Sequence, residues 1–143
     1  ISVTGVQTCA LPILRRLFPD YKAAEQDYYR KTGIFPISHV VSLHKRFVAA
    51  HPGAPRALLA AYARARDVAV ERILGSDPEI VIMSWAAAAL EEQRAVMGEN
   101  YWSYTVEDNA RTLDAMMTYA HRYGITPRKM DYRDLFCPEM VRG

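Results

Sequence analysis

One segment of this sequence has the pattern of a β-strand, whereas the rest of the chain is patterned as helix or loop. Residues 34–44 (IFPISHVVSLH) are rich in β-branched and aromatic side chains and are too short and too apolar for a surface helix. A single strand leaves the N–H and C=O groups of its edges unpaired. The sequence therefore predicts a strand that needs partner strands from outside this chain. Residues 79–83 are a second short apolar run, which fits either a strand or the start of a helix.

Six further segments predict helices from their caps and stop signals. Asp20 is placed to cap the first helix, which Gly33 ends, and Pro55 stands at a natural first position of a long helix that Gly75 ends. Thr105, followed three residues later by Asp108, is the signature of a capping box. The predicted helices cover residues 21–31, 45–50, 55–74, 84–97, 106–123 and 131–136.

Two of these helices have an apolar stripe at spacings of three and four, which predicts one buried face on each. The stripe of the long helix consists of Leu58, Tyr62, Ala65, Ala69 and Ile73. The stripe of the helix that follows the capping box consists of Val106, Ala110, Leu113, Met117 and Ala120.

Charge and composition exclude several classes of function. The chain has 143 residues, 50% of them hydrophobic, and a formal net charge of +2 with acidic and basic residues interleaved, so we expect no nucleic-acid partner. The most apolar stretch ends at Glu91 and Glu92, well short of the roughly 18 apolar residues of a membrane span, so we expect no membrane partner. No histidines or cysteines have the spacing of zinc ligands. We predict no metal ligands in this chain and no cofactor, and the sequence does not decide whether a metal assists.

The first 13 residues are expected to be foreign to the protein. The run from Val3 to Ile13 (VTGVQTCALPI) resembles the translation of a sequencing adapter, and it lacks the basic region and cleavage site of a signal peptide. Native sequence then begins near Leu14, inside a longer gene, and Cys137 is the single native cysteine, which we interpret as a spectator. We refer below to the product of that expected gene as the longer protein.

Three stretches of the chain carry a resemblance to one family. The first runs from Leu17-Phe-Pro-Asp-Tyr21 through residues 28–37 (YYRKTGIFPI) to His39. The second is LEEQRAVMG at residues 90–98, which leads into Tyr101-Trp-Ser-Tyr104, and the third is DYRDLF at residues 131–136 followed by Pro138-Glu139. Together they span nearly all of residues 14–143, and they resemble the 4,5-dihydroxyphthalate decarboxylases. Ser38, where the family commonly has Met, and Cys137, where it commonly has Ala, depart from the pattern.

The resemblance implies an α/β fold of the periplasmic-binding-protein type II, with two lobes and a ligand cleft between them. Residues 14–143 would be the C-terminal portion of this fold, mostly α-helical with one or two strands. It implies a cytoplasmic enzyme that removes one carboxylate from 4,5-dihydroxyphthalate, or from a similar small aromatic carboxylate, to give protocatechuate. The alternative is a substrate-binding protein of an ABC transporter, periplasmic if a signal peptide precedes this chain, because the two classes share the fold. The sequence predicts no particular oligomeric state.

Decarboxylation of this kind needs a general acid or base, because the ring carbon that loses the carboxylate must be protonated. His39 is the candidate, since imidazole titrates near neutral pH, and the alternative is a histidine hydrogen-bonded within its lobe. Arg30, or Arg16, is the candidate cation for the carboxylate that stays, although both also fit exposed helix charges.

Aromatic residues of one predicted loop are candidates for stacking on the ring of the substrate. Tyr101 and Tyr104 are predicted to contact the ligand, and both also fit a role in sealing the core beneath the loop. Trp102, between them, is predicted to pack in the core.

Overall fold

The computed structural model describes residues 16–75 and 82–141, and every regular element within these ranges is helical. Residues 132–135 form a short 3₁₀ helix between the last two α-helices. The prediction of a mostly helical chain is therefore confirmed. The α-helices are α1 (Tyr21–Thr32), α2 (Lys45–Ala50), α3 (Ala54–Leu74), α4 (Ala86–Met97), α5 (Ala110–Arg122) and α6 (Pro138–Val141).

The ends of α1 show why the sequence starts and stops a helix where it does. The Asp20 side chain accepts a hydrogen bond from the Ala23 backbone N–H at 3.0 Å, which satisfies one of the free donors of the first turn. Gly33 ends the helix in the left-handed conformation, with φ of 64°, which L side chains rarely adopt. A Cβ at this position would also lie 2.9 Å from Nη1 of Arg111, which donates a hydrogen bond to the Thr32 carbonyl. Both predicted signals are confirmed.

Three of the first four helices form one group, in which α4 packs against both α1 and α3. Leu90 is buried on α4. The hydroxyl of Tyr29 donates a hydrogen bond to the Met97 carbonyl at 3.4 Å, and the Lys22 ammonium pairs with the Glu92 carboxylate at 2.6 Å. The last of these contacts is solvent-exposed and contributes little to stability.

The core of the described chain is centred on α5 and the 3₁₀ helix. Val106, Leu113, Met117 and Tyr132 are buried there, and burying one such side chain stabilises the fold by about 1.5–3 kcal/mol. Three of these four residues belong to the stripe predicted for α5. No side chain of the described residues is less than 2% exposed, so this core is shallow.

The predicted strand at residues 34–44 is wrong. Residues 33–44 are an extended segment without strand pairing, and no strand occurs anywhere in the two described ranges. The physical reason is that a strand is defined by a hydrogen-bonded neighbour, and here no neighbouring backbone pairs with the segment. Val40 and Val41 are 65% and 59% exposed, and Pro36 has no N–H to donate.

The buried face predicted for the long helix α3 is wrong over most of its length. Tyr62, Ala65 and Ala69 are exposed, whereas a half-buried stripe passes through Leu59, Ala63, Arg66, Val70 and Ile73. Alanine occurs all around this helix, so the periodicity of the sequence does not select one face. The position of α4 selects it instead.

Two sequence expectations fall partly or wholly outside the described residues. The adapter-like run lies outside them, as do residues 79–81 of the possible second strand, while Ile82 and Met83 are exposed coil. Among the helices of residues 16–75 and 82–141, none combines the length and the apolar character needed to cross a membrane.

Candidate functional site

His39 lies on the extended segment between α1 and α2, and its side chain is exposed. Two apolar contacts hold the backbone that precedes it. The Phe35 ring lies 6.0 Å from the Trp102 ring, and Ile37 packs against the core around Leu113. An imidazole that is accessible on an anchored backbone can exchange a proton with a bound ligand.

The residues between α4 and α5, numbers 98–109, carry three aromatic side chains, and we call them the aromatic loop. Tyr101 is half-buried, whereas Trp102 is 47% and Tyr104 is 39% exposed. The Tyr104 ring lies 5.7 Å from the Tyr62 ring of α3 in a tilted arrangement that favours aromatic pairs. The prediction that Trp102 packs in the core is wrong. Its ring instead joins this loop to Phe35 of the extended segment.

Asp108 organises the polar side of the aromatic loop. Its carboxylate accepts hydrogen bonds from the Ser103 hydroxyl and, at 3.1 Å, from the Asn100 amide. The Asp108 backbone N–H donates to the Thr105 hydroxyl oxygen at 3.1 Å. The hydrogen bond from the Ser103 hydroxyl, and after it the nearby Thr105 hydroxyl and the Asn100 amide, hold the pKa of the Asp108 carboxyl below its usual value, while burial opposes them.

The predicted capping box forms only in part. Thr105 accepts from the Asp108 N–H as such a box requires, but the Asp108 carboxylate bonds to Ser103 and Asn100. Residues 106–109 are therefore a turn, and α5 begins at Ala110. As a result, the aromatic loop has two additional internal hydrogen bonds, which the Asp108 carboxylate accepts from Ser103 and Asn100.

Replacing Asp108 by Asn should reduce the acid sensitivity of this loop. A carboxyl whose pKa is lower in the folded than in the unfolded state adds stability above the unfolded pKa, near 4, and loses it as the pH falls through the folded pKa. In the longer protein, the protection factors of residues 100–108, which are the intrinsic exchange rates at each pH divided by the observed rates, should therefore fall in the wild type as the pH drops below about 5. The Asp108→Asn variant should show a smaller change.

The matched control for this experiment is Glu107→Gln, because the Glu107 side chain is exposed on the same turn. It should keep the wild-type pH dependence. An Asp108→Asn variant with an undiminished acid response would contradict the role given to the carboxylate.

The structure does not bring Arg30 together with the aromatic loop. The Arg30 guanidinium donates to the Gln26 side chain of the same helix at 3.3 Å, and it is exposed. Arg16 lies with its guanidinium carbon 4.1 Å from the centre of the Tyr21 ring, a cation–π arrangement. Of the predicted site residues, only His39, Tyr101 and Tyr104 lie on segments that touch each other.

The remaining histidines have local structural contacts. His44 Nδ1 accepts from the Arg46 N–H at 3.1 Å and caps α2, the His51 ring lies 4.9 Å from the Phe47 ring, and His121 Nδ1 is 3.4 Å from the Thr126 carbonyl oxygen. Cys137 is a half-buried free thiol. In the part of the chain that the structure describes, no three histidine, cysteine, aspartate or glutamate side chains are grouped to hold a metal ion.

Sequence reasoning did not identify Phe35 or Arg66 as part of this region. Phe35 stands in the segment interpreted as a strand, and nothing in its pattern points to Trp102. Arg66 follows Tyr62 by four residues and therefore shares its face of α3, which was a usable signal. Its two hydrogen bonds to the aromatic loop are visible only in the structure.

Comparison with known proteins gives one informative match. Over 132 residues, or 92% of its length, the chain is 29% identical to 4,5-dihydroxyphthalate decarboxylase of Comamonas testosteroni. The match covers 40% of that protein, so the chain spans less than half the length of the curated relative. No protein-family model matches the chain.

Proposed function

We propose that this chain is the C-terminal part of a decarboxylase that converts 4,5-dihydroxyphthalate, or a similar aromatic acid, to protocatechuate. The observation that carries the proposal is the match along 92% of the chain to a protein named for this reaction. Its coverage of 40% of that relative supports the view that residues 14–143 belong to a longer protein, for which we propose a two-lobed α/β fold. We also propose that the first 13 residues are foreign sequence.

The reaction sets the roles of the residues. A proton adds to the ring carbon that bears the departing carboxylate, the bond from that carbon to the carboxylate breaks, and CO2 leaves. The hydroxyl para to this carbon donates electron density to the ring while the proton adds, and it is a phenol again once CO2 has left. His39 is the proposed proton donor, because it is exposed on a backbone anchored through Phe35 and Ile37.

The aromatic loop is the proposed binding surface for the ring. Tyr101 and Tyr104 offer π-faces on a backbone that hydrogen bonds hold at several points, and such fixed aromatic side chains bind a planar ring at a low entropic cost. Arg30 is the proposed partner of the remaining carboxylate, with its exposed guanidinium free to leave Gln26. We propose no cofactor and a cytoplasmic location.

The longer protein, expressed from its recovered gene, tests the proposal. Incubated with 4,5-dihydroxyphthalate, it should form protocatechuate, measured by chromatography of the products. Tight binding without any product would instead identify the alternative, a transporter substrate-binding protein. If the longer protein neither binds nor converts any of a panel of dihydroxybenzoic and phthalic acids, both the decarboxylase proposal and the transporter alternative are overturned.

A further inference from the structure

Arg66 of α3 is the most highly connected side chain beside the aromatic loop. Its Nη1 donates to the Trp102 carbonyl at 2.9 Å and to the Asn100 side-chain oxygen at 3.3 Å. Its Nε and Nη2 donate to the same carboxylate oxygen of Asp67 at 2.9 Å and 2.8 Å. The Arg66 side chain is only 25% exposed, whereas that of Asp67 is 59% exposed. The guanidinium therefore bridges a helix and the backbone of the loop.

This bridge uses a property that lysine lacks. A guanidinium is planar, and its donors point in fixed directions, so one edge can bind Asp67 while the other binds the loop. Because Asp67 and the loop already occupy these donors, Arg66 is not free to bind the carboxylate of a ligand. It acts on the loop.

A second contact fixes the same loop to the same helix. Tyr62 lies one turn before Arg66 on α3, and its ring packs against the ring of Tyr104. The stretch from Asn100 to Tyr104 is thus attached to α3 near both of its ends. The backbone of Tyr101 lies between these attachments, so its position is restrained while both contacts hold.

From these contacts we propose that Arg66 is a positioning residue, which holds the aromatic loop on α3 so that Tyr101 and Tyr104 present a fixed surface to an aromatic acid. The inference rests on the proposed function, in which these two tyrosines bind the ring. The inference assigns a role in ligand binding to Arg66, a residue that does not itself contact the ligand. His39 is held separately, since Ile37 packs against the core around Leu113. Loss of the Arg66 bridge therefore weakens binding more than it slows the proton transfer.

The test compares Arg66→Lys with Arg64→Lys in the longer protein. Arg64 is exposed on the same helix, so its variant is matched in chemistry and position. Arg66→Lys should raise KM about tenfold, the scale of one lost aromatic contact, and change kcat by less than about threefold. Arg64→Lys should change neither. Asp67→Asn, at an exposed position that folding tolerates, should raise KM about threefold because the guanidinium loses its orienting partner.

Hydrogen exchange of residues 100–104, measured on the same variants, separates this inference from the proposed function. Faster exchange in Arg66→Lys together with the higher KM supports the positioning role. An unchanged KM in a folded Arg66→Lys protein overturns it, even where the melting temperature falls. If the wild type has no activity, the proposed function fails. Equal hydrogen-exchange rates in Arg66→Lys and Arg64→Lys would then also overturn the proposal that Arg66 holds the loop on α3.

Discussion

His39→Ala should lower the kcat of the longer protein by about a hundredfold or more. General acid catalysis typically contributes 10²–10⁴-fold, and an alanine cannot carry the proton to the ring carbon. The KM should change much less, because the proposed ring contacts come from Tyr101 and Tyr104. The measurement is the rate of protocatechuate formation at saturating substrate, together with the melting temperature of the same preparation.

His44→Ala is the control for this variant, since His44 lies on the same extended segment. Its imidazole caps α2, so its loss should cost about 1 kcal/mol of stability and leave kcat unchanged. An unchanged kcat in His39→Ala, with only a lower melting temperature, would return His39 to the class of structural histidines. Equal losses of kcat in both variants would point to a collapse of the segment.

Expressed alone, this chain should be poorly soluble or molten and should have no decarboxylase activity. Its large apolar side chains are exposed to a degree that a free monomer rarely sustains, and such surfaces promote aggregation. Trp85 is 80% exposed, Ile125 78%, Tyr123 72% and Val40 65%. The few buried side chains of the shallow core cannot stabilise the fold enough to offset this exposed apolar surface. Near-ultraviolet circular dichroism, dye binding and thermal melting should all indicate loose packing.

The longer protein is the control for this second prediction, because it contains residues 14–143 together with the surfaces proposed to cover them. It should melt cooperatively and remain in solution under the same conditions. A compact monomer of the chain alone, with a cooperative melt and activity on 4,5-dihydroxyphthalate, would contradict the view that these residues are part of a larger fold.

The helices could be predicted from the sequence where a cap or a periodic stripe gives a local signal. Asp20 and Gly33 delimit α1 as expected, because both act through contacts within a few residues of the chain. Leu113 and Met117 are buried as their spacing on α5 predicts. In these cases the residues within a few positions contain most of the information needed to predict the helix ends and the buried positions.

Where structure depends on a distant partner, the sequence was misleading. Residues 34–44 have strand-forming side chains, but pairing is a property of two segments, and within the described ranges no second segment pairs with them. The prediction of the buried face of α3 was wrong for a related reason, because the packing of α4 against α3 determines which face is buried. Trp102 shows the same dependence, because its neighbour Phe35 lies far away in the chain.

The candidate site was predictable as residue types and not as an arrangement. His39, Tyr101 and Tyr104 were selected for what imidazole and phenol groups do, and the structure connects their segments through Phe35 and Trp102. Arg30 was selected for its charge, but its position on α1 leaves it bonded within its own helix. Hydrogen bonds such as those of Asp108 cannot be read from spacing, because they depend on how a turn folds back on itself.

The central claim is most directly tested by measuring the products of the longer protein in D2O. With 4,5-dihydroxyphthalate as substrate, the account predicts equal amounts of CO2 and protocatechuate, and one deuterium at the ring carbon that lost its carboxylate. Recovery of unchanged 4,5-dihydroxyphthalate from a folded, ligand-binding protein would contradict it.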